Sequence, residues 1–170
     1  MNKFKSISAD SFHFSPFKMI GKDSMLITAE KDGKVNSMTA SWGGLGVMWR
    51  KNVAYIVVRN SRYTKEFIDA SNSFSLSFFE PNKYGEVLRY MGTVSGRDEN
   101  KIKGANVTVG YYEGVPYIDE ASIVLVCKKM SCQTITPDSF VMDDLEEKFY
   151  KDKDYHNLYI GEIIEIMRQE

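Results

Sequence analysis

The stretch NSMTASWGGLG, Asn36 to Gly46, decides how the rest of this chain is read. A strand at residues 26–29 runs towards it, and an apolar, β-branched run at residues 53–58 follows it. Between them Ser37, Thr39, Ala40 and Ser41 are small enough to let a flat, polar-edged ligand approach the backbone. Trp42 adds one large aromatic surface, and Gly43, Gly44 and Gly46 let the chain turn away without a Cβ clash. Taken alone, the same residues read more simply as a strand end entering a glycine-rich loop.

Outward from that stretch the pattern is mostly strand. Residues 25–30 are followed by Asp32-Gly33, a strong two-residue hairpin signal, and the chain returns from Val35. Residues 53–58 are apolar without alternation, as for a strand covered on both faces. Tyr63, Phe67 and Ala70 share one face of a short helix for which Ser61 is a plausible N-cap. Residues 74–78 alternate strictly, predicting a strand with one buried face. Tyr84, Val87, Leu88 and Met91 mark a second helix ending at Gly92, and residues 95–101 read as a polar loop. Residues 107–111, 115–118, 122–130 and 158–166 are further strands, with a polar, acidic excursion at 136–153. The expectation is a mainly β chain, a barrel or sandwich with two or three short helices, forming one domain over residues 1–170.

Composition narrows the function. With 22 basic and 23 acidic residues there is no electrostatic case for nucleic acid or an anionic membrane. Cys127 and Cys132 lie an odd number of residues apart in one strand, so they point to opposite faces and suggest a reducing compartment. Met1 to Ser6 lacks the apolar core of a signal peptide, and no apolar run is long enough to span a bilayer. A cytoplasmic protein is expected. The two histidines and two cysteines have no metal-ligand spacing, and neither a phosphate loop, G-x-G-x-x-G nor G-x-S-x-G is present.

The positive signal is Arg59-Asn-Ser-Arg-Tyr-Thr64. Two guanidinium groups and two hydroxyls precede a helix, the donor set that a phosphate dianion requires. The alternative is an exposed turn with solvated arginines. Paired with the opening stretch, and with the two strands as neighbours, it describes a ligand with a flat heterocycle at one end and a phosphate at the other. FMN fits.

At this point the chain resembles the flavin reductase-like, FMN-binding split-barrel family, including its flavoredoxin-type members. The resemblance rests on residues 26–29, Asn36 to Gly43, Arg59 to Thr64, Ser95-Gly-Arg-Asp with Lys101, and His156 to Glu162, in the family's order. It implies a Greek-key split β-barrel, a homodimer and redox chemistry at FMN, with electrons from NAD(P)H or from a redox protein. Thr39, Ala40, Ser41 and Trp42 would line the isoalloxazine; Arg59, Ser61, Arg62 and Thr64 would hold the phosphate, with Tyr63 close by. Asn36 and Ser37 would lie behind them, or Asn36 would bond only to its own hairpin. Ser95 and Lys101 would reach the cofactor or sit in a solvated loop. Many family members carry Gly-Asp-His before the last strand, whereas this chain has Asp154-Tyr155-His156. His156 is thus a candidate substrate contact or proton donor, with a structural role as the alternative, and direct NAD(P)H use is open.

Overall fold

Asp32 and Gly33 both adopt positive φ, 51° and 72°, as a two-residue type I′ hairpin turn requires. They join β2 (Met25–Lys31) to β3 (Lys34–Ala40), paired from Met25↔Ala40 to Lys31↔Lys34. The computed structural model describes residues 4–170; Met1 to Lys3, part of the N-terminal segment considered above, lie outside the described residues.

The glycines after Trp42 do not form the expected turn. They open an edge strand, β4 (Gly43–Met48), which pairs with β5 (Lys51–Arg59). The reversal comes later, at Trp49 and Arg50, both at positive φ. The glycines permit close approach instead: a Cβ on Gly43 would stand 2.5 Å from the Tyr55 carbonyl oxygen, and one on Gly44 would stand 2.5 Å from the Tyr55 ring. Tyr55 itself is 41% exposed, so β5 is not covered on both faces as its composition suggests.

Beyond these come β6 (Ser73–Phe78), β9 (Ile123–Thr134) and β10 (His156–Gln169), giving a sheet in the order β3-β2-β6-β9-β10-β5-β4; β1 (Phe4–Ser6) joins the far end of β10. Every pairing is antiparallel. β3 and β4 are the two ends of that order, yet only Ser41 and Trp42 separate them in the chain. The sheet must therefore curl until its ends meet at one corner without closing, which is the split barrel. β3 and β5 are not sheet neighbours; the curl brings them together.

The alternation of β6 misleads. Ser75 and Ser77 are fully buried alongside Phe74, Leu76 and Phe78, because a second hairpin, β7 (Val109–Tyr112) and β8 (Val115–Ile118), covers the serine face. Ser75 Oγ donates to the Pro116 carbonyl at 2.6 Å, and Ile118 N donates to Ser77 Oγ at 3.3 Å. Short side chains with a hydroxyl let the second layer dock without orphaning polar groups.

Two longer helices, α2 (Tyr63–Ala70) and α3 (Pro81–Thr93), match the expectation, and three of four or five residues add to them: α1 (Pro16–Met19), α4 (Lys101–Gly104) and α5 (Leu145–Phe149). α2 buries Thr64, Phe67 and Ile68, while Ala70 is exposed. Its N-cap is Arg62 rather than Ser61. Gly92 is the penultimate residue of α3, so the helix ends one residue past the expected place. One core gathers Ile27, Ile56, Phe74, Leu76, Leu125 and Tyr159 inside the curl; the other holds Leu26, Leu88, Met91, Ile118 and Val124 beneath α3 and β8. Each large apolar side chain buried this way contributes about 1.5–3 kcal/mol. Cys127 is buried and Cys132 exposed, both as free thiols on β9, as their spacing requires. No helix among the described residues is long and apolar enough to cross a membrane.

Candidate functional site

The corner where the sheet ends meet carries a cleft of about 180 Å³, lined by Met38 to Trp42, Val57, Arg59, Arg62 and His156. β3 is an edge strand, so alternate residues turn unpaired backbone N–H and C=O groups outward beside it. Thr39 Oγ1 is already engaged, donating to the Leu88 carbonyl at 2.5 Å and tying β3 to α3. Ser41 and Trp42 are exposed. Ser37 faces away: it is fully buried, bonded to Thr28 and the Ile27 carbonyl, and does not line the cleft.

A second cleft of about 130 Å³ shares Met38 and Arg62 with the first. Its other lining residues include Asn36, Ser61, Tyr63, Thr64, Ser95, Gly96 and Lys101, and no carboxylate. Asn36 is buried and reaches across to α2, donating from Nδ2 to Thr64 Oγ1 at 2.9 Å, so it does not merely bond to its own hairpin. Gly96 is needed here, because a Cβ would stand 2.4 Å from Asn36 Oδ1. The first amides of α2, on Tyr63 and Thr64, have no carbonyl one turn back to bond within the helix.

Lys101 is not on a solvated loop. Asn100 Oδ1 accepts from Lys103 N at 3.0 Å and caps α4, which folds Lys101 inward to 4% exposure. Its Nζ donates to the Met91 carbonyl at 2.5 Å. Burial, with the Arg62 charge adding to it, lowers the Lys101 pKa to about 8. Two cations thus share a cleft lined by no counter-charge, an arrangement that favours a bound anion. An asparagine directly before Lys-Ile-Lys-Gly was the available signal for that cap.

Arg59 lines the first cleft and Ser61 the second, and both also have partners in the segment between β9 and β10. The Arg59 guanidinium donates to Asp152, to the Asp154 carbonyl at 3.1 Å and to the Phe149 carbonyl at 2.8 Å. Ser61 gives its amide and its hydroxyl to the two Asp154 carboxylate oxygens, at 3.1 and 2.5 Å. These contacts pin the excursion between β9 and β10 as a strap along one wall of the ring-sized cleft. The strap brings in aromatic residues that sequence reading missed: Phe149 meets Trp42 edge-on at 5.6 Å, and Tyr150 lies behind His156.

His156 opens β10 opposite Arg59 of β5. It is 8% exposed, and its Nδ1 lies 2.8 Å from the Tyr150 hydroxyl. Burial lowers its pKa to about 4, with Arg59 and Arg62 acting in the same direction and Asp154 opposing. The ring is therefore neutral at physiological pH. The unfolded chain takes up this proton at a higher pH than the folded one, so the stabilising contribution is complete above about pH 6.5 and is lost as pH falls towards 4. Urea midpoints should therefore drop on acidification by the equivalent of about 1–3 kcal/mol from this group. His156→Gln should flatten that part of the profile; an unchanged acid slope would remove the assignment.

The flavin reductase like domain profile matches residues 19–170. The chain belongs to the flavin reductase-like family. Solved structures share its fold. A flavoredoxin from Methanosarcina acetivorans superposes with a TM-score of 0.66 at 26% identity, over 86% of this chain and 68% of that one. An FMN-binding domain of a flavin reductase-like enzyme from Shewanella baltica OS155 gives 0.71 at 19% identity, over 99% and 78%. The flavoredoxin of Desulfovibrio vulgaris (Miyazaki F) gives 0.67 at 23%, over 86% and 69%. No curated protein sequence matches. Within this family fold, Thr39 to Trp42 with Arg59 and Arg62, and Ser61 to Thr64, line adjoining clefts, and Arg59 and Ser61 also hold the strap.

Proposed function

We propose that this protein is an FMN-dependent oxidoreductase that passes electrons from a reduced donor through FMN to an acceptor. The observation that carries this reading is the carboxylate-free cleft shared by Arg62 and buried Lys101, adjoining a ring-sized cleft bounded by Trp42 and the β3 edge. Arg62, Lys101, Thr64 and the first amides of α2 would hold the phosphate. The outward backbone of Thr39 to Ser41 would meet the polar edge of the isoalloxazine, with Trp42 beside it. Bound FMN supplies hydride and electron transfer; this chain's residues bind it, orient it and keep its site partly closed to water. Neutral His156 has no charge to offer there.

A second reading, a flavoredoxin-like carrier reduced by a protein and not by nicotinamide, is favoured by the strap. Its Asp154 engages Ser61, its Phe149 stands against Trp42, and Asp154-Tyr155-His156 stands in place of the Gly-Asp-His of many family members. Anaerobic titration of the FMN-loaded protein with NADH and NADPH separates the two. Loss of flavin absorbance with either supports direct nicotinamide use. No loss with both, alongside rapid reduction by a ferredoxin-like donor, supports the carrier. We also expect a homodimer, because Val47, Met48, Trp49 and Tyr55 expose apolar surface on β4, its turn and β5 beside the site. Sedimentation of the loaded protein as a 19.5 kDa monomer would overturn that.

A further inference from the structure

Tyr150 is 5% exposed, and among the described residues its hydroxyl has one hydrogen-bond partner, His156 Nδ1 at 2.8 Å. A buried phenol O–H needs an acceptor. Nδ1 is the acceptor within reach, so it carries no proton, and the neutral imidazole bears its hydrogen on Nε2. Among the described residues Nε2 has no hydrogen-bond partner. Among the described residues only the Tyr90 hydroxyl is both sealed from solvent and unpartnered. Nε2 is therefore open to the cleft that His156 lines.

The pair is held firmly. Tyr150 meets the His156 ring edge-on at 5.5 Å and stacks on Tyr155 at 5.2 Å, and Arg59 Cζ lies 5.3 Å from its ring centre. Trp42 flanks the imidazole at 5.0 Å. The ring-sized cleft is lined by donors and by no carboxylate, so a cationic ligand finds no partner there, whereas an acceptor oxygen does.

We infer that the Tyr150–His156 pair presents a fixed, neutral N–H donor at the strap side of this cleft, where it takes a planar, uncharged ligand by its carbonyl oxygen. Tyr150 is the positioning residue. The flat floor beneath such a ligand rests on the FMN reading; the tautomer of His156 does not.

Nitrogen-15 NMR of the imidazoles tests the pair directly, since His156 has only the exposed His13 for company. The wild type should show the Nε2–H tautomer, and Tyr150→Phe a mixture; a wild-type Nδ1–H tautomer would overturn the proposal. The FMN-loaded protein is then titrated with acetophenone and with its oxygen-free analogue α-methylstyrene, following flavin absorbance and the His156 resonances. Acetophenone binding should weaken at least fivefold in Tyr150→Phe and in His156→Phe and return in His156→Gln, with α-methylstyrene unmoved. Equal losses for both probes, or a loss of FMN itself in Tyr150→Phe as large as that of acetophenone, would sink it. Wild-type protein that shows the Nε2–H tautomer but retains no FMN would remove the flavin reading and leave the donor standing.

Discussion

Arg62→Ala should weaken FMN binding by about 1.5–3 kcal/mol, the range for a hydrogen bond to a charged group, or roughly tenfold to a hundredfold in Kd. Arg62 is the charged residue that lines both clefts, and among the described residues its guanidinium makes only a long hydrogen bond, 3.4 Å, to the Gly92 carbonyl. It is exposed and caps no helix with its side chain. Its removal should therefore leave thermal stability nearly unchanged while the phosphate loses a forked, charge-assisted partner. Riboflavin, which has no phosphate, should lose much less. Arg62→Lys should recover part of the affinity as a point charge without the fork. Fluorescence titrations of both flavins against the three proteins measure this, and equal losses for FMN and riboflavin would place Arg62 away from the phosphate.

Lys101→Met should have an effect of similar size, about 1.5–3 kcal/mol on FMN, with a pH signature that Arg62 lacks. In the free protein, burial and the neighbouring Arg62 bring Lys101 down to a pKa of about 8. A phosphate dianion beside it stabilises the ammonium and raises that value, so binding above about pH 8 must take up a proton. FMN affinity should then be flat between about pH 7, where the phosphate is already a dianion, and about pH 8, and fall as pH rises further, by up to about tenfold per unit. Riboflavin should show no such step, and Lys101→Met should abolish it for FMN. Methionine keeps most of the volume of the lysine stem, so the α3–α4 packing is retained. A pH step that survives in Lys101→Met would assign it to another group.

Much of the site was legible locally. Asp32-Gly33 announces its hairpin because two consecutive positive-φ positions suit few residue pairs. Arg59 to Thr64 marks a candidate anion site because its donors crowd just before a helix. What those donors do was not legible. Arg59 and Ser61 read as phosphate ligands by composition, yet residues some ninety positions later reach back and engage both: Asp154 takes Ser61, while Asp152 and two strap carbonyls take Arg59. Lys101 read as solvated because its burial depends on the Asn100 cap and on Met91 of a different helix. The glycines at 43 and 44 read as a turn because a missing Cβ serves a bend and a close approach equally well; Tyr55, across the strand pair, selects the second.

By itself, then, the sequence determines most of the strands, the Asp32-Gly33 hairpin turn, the family and the two stretches that face the clefts, since periodicity, turn chemistry and donor composition all act over a few residues. Only the tertiary structure decides that Asn36 to Gly46 spans the two open ends of one curled sheet, β3 and β4, and so stands at the corner where the clefts form. That outcome depends on the accumulated twist and pairing order of seven strands, and on which donors distant acceptors have already taken. Neither quantity is carried by any short stretch of the chain.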